Sequence, residues 1–298
     1  MRPPSLLIAA ALLAAGTAQA ELRATDDTGA QVVLEQPARR IVSLAPHLTE
    51  QLFAIGAGGL VVATTDFADH PEQARRIARV ARAHNVDLEQ VTAARPDLIV
   101  VWGSGFPPAT LAALRRLGVP LYVDEPSTLD GIAESMLRLG RLTAAAGAAE
   151  AAATFRGSIA RLRERYASRA EVSVFYQVWP LPLMTLGGSH VLSEGLRVCG
   201  GRNVFAQLGP IAPQVSVEAV LEADPQVIVT AEPGGIDRGA LEMWKRFPGQ
   251  RAVAGGHLVT VDADRINRHT PRLADELAVL CQRIDAVRRS GDAVKSRP

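Results

Sequence analysis

This chain of 298 residues has little of what usually announces a mechanism: two cysteines, three tryptophans, three tyrosines and seven phenylalanines. It has no excess of either charge, with 32 basic against 31 acidic residues. A nucleic-acid partner would need a basic patch or stripe, so none is expected. All but two of the cations are arginine, which reads as coding composition rather than function. There is one early apolar run, Leu6 to Ala15, too short to cross a bilayer as a helix. It follows Arg2 and precedes Ala18-Gln19-Ala20, the pattern of a secretory signal cleaved near Ala20. No cysteine follows that site, so no lipid anchor is expected, and no later segment is long and apolar enough to span a membrane. The reading is a soluble exported protein.

Catalytic signatures are also missing. There is no HExxH zinc motif, no Walker phosphate loop and no GxSxG nucleophile elbow. Gly103-Ser104-Gly105 follows a strand, but a short Gly/Ser turn is weak support for a phosphate site. The six histidines are scattered without metal-ligand spacing, so a metal site would have to be assembled from distant segments. No catalytic residue, metal or cofactor is assigned, and the chain is not expected to be an enzyme. In an oxidising compartment the two cysteines, Cys199 and Cys281, pair by default. Two free thiols or a metal-binding pair are the alternatives.

One pattern is written twice. Val86 to Val101 reads VDLEQVTAARPDLIVV, and Val215 to Thr230 reads VSVEAVLEADPQVIVT. Each runs helix start, acidic residue, apolar helix face, proline and buried strand. The acidic residues, Glu89 and Glu218, lie 129 positions apart. A second echo, offset by 144, matches Thr49-Glu50 with Ser193-Glu194 and Gly56 with Gly200. A supersecondary unit used twice implies two similar lobes, and the space between lobes is where small molecules bind. The two acids could serve as an acid/base pair, but each opens a helix, where a carboxylate favours the helix dipole.

Strands alternating with helices predict a parallel α/β fold. A hairpin is expected over 21–35, strands at 40–44, 60–65, 97–102 and 119–123, and helices at 87–94 and 108–117. Helices at 130–142 and 148–169, broken near Gly147, form a connector. A second lobe follows with strands at 172–178, 226–230 and 258–261 and a last helix from Pro271 to Arg288. The expected organisation is a signal peptide at 1–20, an N-terminal lobe at 21–127, a helical connector at 128–169, a C-terminal lobe at 170–290 and a polar tail at 291–298. The fold class is α/β: two lobes with small parallel sheets, joined by one long helix acting as a stiff spacer that limits closure. His47 sits where a strand meets a helix N-terminus, the usual ligand edge of such a lobe. Its bland alternative is an ordinary first-turn residue. Trp244 reads as core.

The segments RIVSLAPHLTEQLFAIGA, FADHPEQA, DLEQVTAARPDLIVVW, VLSEGLRVCGGRNVF, PQVSVEAVLEADPQVIV and TPRLADELAVLC carry a resemblance. From about Arg39 to Val287 the chain resembles periplasmic substrate-binding proteins of the iron-complex and vitamin B12 class, and most of all the vitamin B12 branch. The cysteine placement matches that branch too. The resemblance implies a monomeric periplasmic protein that captures a corrinoid between its lobes and delivers it to an inner-membrane ABC permease. It implies that Glu89 and Glu218 meet arginines of the permease dimer, a two-fold partner needing two similar contacts. It places Phe67, Trp102, Trp179, Asp264 and Arg268 near the ligand, with Ala83 and Ala212 standing where the branch has Trp. Haem or a ferric siderophore is the alternative ligand within the class, with Arg82 and His84 near the position of a haem-ligating Tyr. An exported metal-binding protein or enzyme on the same fold, or a sensor subunit, is the competing reading.

Overall fold

A computed structural model describes residues 21–82 and 85–295. The expected signal peptide and His84 lie outside the described residues. β1 (Leu22–Thr25) and β2 (Gln31–Leu34) form the antiparallel hairpin expected from the Asp27-Thr28-Gly29 turn. The Asp26 carboxylate accepts from the backbone N–H groups of Thr28 and Ala30, fixing that turn.

The first sheet follows. It contains β3 (Ile41–Ser43), β4 (Val61–Thr65), β5 (Ala78–Arg82), β6 (Asn85–Val86), β7 (Leu98–Trp102) and β8 (Leu121–Asp124). The order is β6-β5-β4-β3-β7-β8, parallel except for β6. α1 (Pro46–Ala54), α2 (Leu88–Ala93) and α3 (Pro108–Arg115) connect these strands. The strand β5 was not expected, because ARVAR alternates arginine with small apolar residues and carries no continuous apolar run.

α4 (Leu129–Thr143) and α5 (Ala148–Tyr166) then form a helical pair. The break between them is Ala144 in the left-handed region (φ 53°), not Gly147. Gly147 has an ordinary φ, and a Cβ there would lie 2.8 Å from the Ile55 carbonyl oxygen, so it serves close packing. α5 packs on α4 and also on α6 (Val191–Val198) and α10 (Arg272–Lys295). The connector is therefore embedded rather than a bare spacer. One buried apolar cluster runs from Ile41 and Leu98 through Leu139 and Phe155 to Val174, Val229 and Leu277.

The second sheet holds β9 (Val172–Gln177), β12 (Gly201–Asn203), β13 (Val227–Glu232) and β14 (Leu258–Asp262) in the order β12-β9-β13-β14, all parallel. A small hairpin, β10 (Trp179–Pro180) with β11 (Leu183–Met184), follows the carboxyl end of β9. α7 (Val217–Ala223), α8 (Arg251–Ala254) and α9 (Ala263–Ile266) complete the chain before α10. α10 continues through Lys295, past the end expected at Arg288, so the first part of the expected polar tail is helical. Trp244 is fully buried, its Nε1–H donating to Gln177 Oε1 at 2.7 Å. Cys199, at the end of α6, is bonded to Cys281 on α10.

The duplication is geometric as well as sequential. β3 lies between β4 and β7 as β9 lies between β12 and β13. Asp87 caps α2 by accepting from Gln90 N–H, and Ser216 caps α7 by accepting from Ala219 N–H. Both helices end on a left-handed residue before proline, Arg95 (φ 47°) and Asp224 (φ 38°). The residue after each proline straps the helix to the central strand. Asp97 accepts from the N–H groups of Arg39 and Arg40, and Gln226 Oε1 accepts from Ser173 N–H.

Candidate functional site

In parallel sheets the side chains that meet a ligand sit at the carboxyl ends of the strands. The sequence-predicted ligand residues all fall there or close by. Trp102 ends β7, Phe67 and Trp179 lie two residues beyond β4 and β9, and Asp264 lies two beyond β14. These ends border a cleft of about 410 Å³ whose walls include Trp102 and Glu125 from the first lobe, and Tyr176, Val178, Ile211 and His269 from the second. Its size suits a small-molecule site.

The predicted residues do not all share that wall. Trp102 does, with its indole N–H donating to Glu125 Oε1 at 3.1 Å. His47 lies behind the wall, 5% exposed, with its ring edge-on to Trp102 at 5.6 Å. Phe67 and Trp179 are 73% and 58% exposed, Leu181 is an exposed neighbour of Trp179 in sequence, and Ile211 is an exposed residue of the cleft wall. Scattered exposed apolar side chains need no explanation, and of these only Ile211 lines the cleft itself. Phe67 also holds φ 63°, costly for an aromatic residue, which turns the chain sharply after β4.

Arg268 and Asp264 are engaged elsewhere. The Arg268 guanidinium donates to Asp69 at 2.8 Å and Asp264 at 3.0 Å and lies 3.6 Å from Glu50. Beside it, Arg272 grips buried Glu50 with two bonds of 2.6 Å. These ion pairs join α1 and the β4–β5 loop to α9 and α10, so they clasp the two lobes to each other. Hydrogen bonding to Glu50 holds the Arg272 guanidinium above its ordinary range. Sequence spacing could not reveal this clasp, because its members are some two hundred positions apart.

Behind Trp102 lies a buried polar floor. His47 Nε2 is 3.5 Å from Asp124 Oδ2, and the His269 ring lies tilted by 58° at 5.4 Å from that of His47. Burial alone would raise the Asp124 carboxyl, but His47 beside it and the Ser135 hydroxyl outweigh this and hold it below the ordinary aspartate value. Burial, then the charge of His47, pushes His269 down to about 3. The scattered histidines of the sequence gave no sign of this group, whose members come from three distant segments. His190, also on the cleft wall, caps α6 by accepting Leu192 N–H on its Nδ1, and burial lowers it to about 4. Of the two positions where the resemblance implies Trp, Ala212 lines the cleft and Ala83 lies outside the described residues.

Glu89 and Glu218 lie away from this cleft lining. Each stands in the first turn of its helix, exposed, and outside any ion pair among the described residues.

A family model described as "Periplasmic binding protein" matches residues 41–264. The chain belongs to this family. Among curated relatives, the vitamin B12-binding protein of Vibrio cholerae is 40% identical over 247 residues, covering 82% of this chain and 88% of its own. The crystal structure of a periplasmic vitamin B12 binding protein from Vibrio cholerae superposes with a TM-score of 0.77 at 38% identity, covering 84% of this chain and 98% of that one. A periplasmic heme-binding protein from Roseiflexus, at 23% identity and a TM-score of 0.73 over 84% of this chain and 99% of that one, shares the fold. The relatives of this periplasmic binding protein are binding proteins, not enzymes.

Proposed function

We propose that this chain captures cobalamin or a related corrinoid in the periplasm and hands it to the inner-membrane permease of an ABC importer. The observation that carries the ligand is the chemistry of the cleft lining. It is mainly apolar and aromatic, and among the described lining residues the ionisable groups are Glu125, Tyr176, His190 and His269, with no arginine or lysine. A haem presents two propionates and a ferric tricatecholate siderophore is strongly anionic, so either would meet a carboxylate and no permanent cation. A corrinoid is rimmed by neutral amides and offers a broad apolar face. That face suits Trp102 and Tyr176, with Phe67, Trp179 and Ile211 as the rim that closes over it. The 40% identical relative named for vitamin B12 supports the same reading. In this proposal Arg268 and Asp264 set the lobe angle rather than touch the ligand, and His47 supports Trp102 from behind.

The docking surface is the doubled motif. Glu89 and Glu218 present one carboxylate per lobe at equivalent places, free to meet cations on a two-fold partner. Exposed charges of this kind orient and steer docking more than they add affinity. The protein works as a monomer in delivery, with the signal segment removed near Ala20.

The deciding measurement is calorimetric titration of the mature protein with cyanocobalamin, alongside haemin and a ferric hydroxamate. One-to-one cobalamin binding with neither competitor bound is the expected result. Haemin or hydroxamate binding without cobalamin binding would replace the ligand while leaving the family and the docking proposal untouched.

A further inference from the structure

We infer that His47, Asp124 and His269 form a binding site for one divalent transition-metal ion, of the zinc and cobalt(II) kind, beneath the cleft. One nitrogen from each imidazole and one Asp124 oxygen lie within 4.8 Å of one another. A tetrahedral zinc site with bonds near 2.0–2.1 Å sets its ligand atoms ~3.4 Å apart. His47 Nε2 and Asp124 Oδ2, at 3.5 Å, already stand at that spacing. Two imidazoles and a carboxylate with one position left over is a donor set that zinc and its neighbours in the first transition row accept.

The unsatisfied atoms point the same way. His47 Nε2, Asp124 Oδ2 and His269 Nδ1 are all buried without a hydrogen-bond partner. Buried polar atoms are nearly always paired, yet His47 Nε2 and Asp124 Oδ2 face each other at 3.5 Å without a hydrogen bond, and a ring nitrogen of His269 lies within 4.8 Å of this group. Asp124 is fully buried, and an ionised carboxylate there needs a cation. Its other oxygen accepts from Ser135 Oγ, which turns Oδ2 toward His47. Gln51 Nε2 donates to the His269 carbonyl oxygen at 2.6 Å, anchoring the third ligand's backbone. Such outer contacts are the usual support of a metal site.

The site joins the lobes. His47 is on α1 and Asp124 ends β8 in the first lobe, while His269 stands between α9 and α10 in the second. A bound ion would pin the lobe angle next to the Glu50–Arg272 clasp. Only His269 of the three also lines the cleft, so a fourth ligand, water or cargo, would arrive from that side. The inference does not depend on which cargo the cleft takes.

The test uses the untagged mature protein, stripped with chelator and titrated with Co²⁺ and with Zn²⁺, cobalt binding being read from its visible ligand-field bands. The expectation is one equivalent of Co²⁺ displaced by Zn²⁺. Binding should weaken by at least ~10–100-fold in Ser135→Ala, which loses the orienting contact. It should be lost in His269→Ala and Asp124→Asn and kept in His257→Gln, whose histidine contacts Gln226 and Ser290 away from the site. Should Asp124→Asn fail to fold, His269→Ala decides, since that ring stands at the cleft wall. The inference falls if the unmutated protein shows no saturable binding. It falls equally if His269→Ala keeps full binding, or if His257→Gln loses as much as His269→Ala.

Discussion

The two lobes share a frame and differ in how they furnish it. On the outer face the repeat keeps its chemistry: a capping side chain, a first-turn glutamate, a left-handed residue and a proline in both copies. On the cleft edge it does not. The offsets that match the frames pair His47 with Val191 and Trp102 with Ala231. The strand register pairs Trp102 with Asp124 across β7 and β8, and Ala231 with Val261 across β13 and β14. The first lobe therefore places His, Trp and Asp where the second places Val, Ala and Val. Under the proposed function, a two-fold membrane partner would reward sameness outside, whereas a single ligand between the lobes would present two different faces and reward difference inside.

The sharpest break of this comparison is at the outer face. Reversing both charges, Glu89→Arg with Glu218→Arg, should abolish uptake in a cobalamin-dependent growth assay and leave calorimetric affinity unchanged. Either single reversal should be intermediate. Lost affinity in the double variant would remove the carboxylates from docking and return them to the binding site.

Next in size is the matched pair Glu50 and Glu194. Glu50 is buried and held by Arg272, while Glu194 sits near the surface, accepting from Leu129 N–H and Arg163. Removing one partner of a buried pair costs about 3–5 kcal/mol, because the other charge is left uncompensated. Glu50→Ala should approach that cost in urea unfolding, and Glu194→Ala should cost about 1 kcal/mol. Equal losses would mean that the clasp does not distinguish the lobes.

Smaller again is the cleft itself. Trp102→Ala should weaken cobalamin by about tenfold or more, since a buried aromatic anchor contributes on the order of 1 kcal/mol beyond its area. Filling the other side with Ala212→Trp should tighten binding by a similar factor. No change in either variant would move the ligand off this wall.

How much of this was legible beforehand depends on distance along the chain. The parallel strands, their helices and the doubled motif were readable because each is local: Leu98–Trp102 is a continuous apolar run and Val227–Glu232 opens on one, each after a capped helix and a proline. Trp102 was placed near the ligand by resemblance, and its position at the end of a strand sets it at the cleft edge. The second-lobe wall was harder. Tyr176 alternates inside a fully buried strand and looks like core, and His190 looks like any polar residue before a helix. The clasp and the buried His–Asp–His group were invisible, since they exist only once α1 meets the segment before α10. Arg268 was placed near the ligand by resemblance alone, and its ion partners Asp69 and Glu50 come from the other lobe.

The smallest expected effect also separates the lobes. At the start of α6 the cap is an imidazole, His190, whereas the matching place on α1 is Pro46, which cannot titrate. His190 must be neutral at Nδ1 to accept Leu192 N–H, and burial lowers it from 6.5 to about 4. Between those values the unfolded chain binds a proton that the folded chain refuses. Stability is therefore complete above pH 6.5 and lost as pH falls toward 4, by about 1 kcal/mol between pH 6.5 and about 5.5. Glu125 and His269 share the cleft wall with it, so the readout is a difference. His190→Asn keeps a capping side chain without the titration. Its unfolding free energy should fall less steeply over that interval than the unmutated protein's, and parallel slopes would mean that His190 takes up its proton without cost in the folded state.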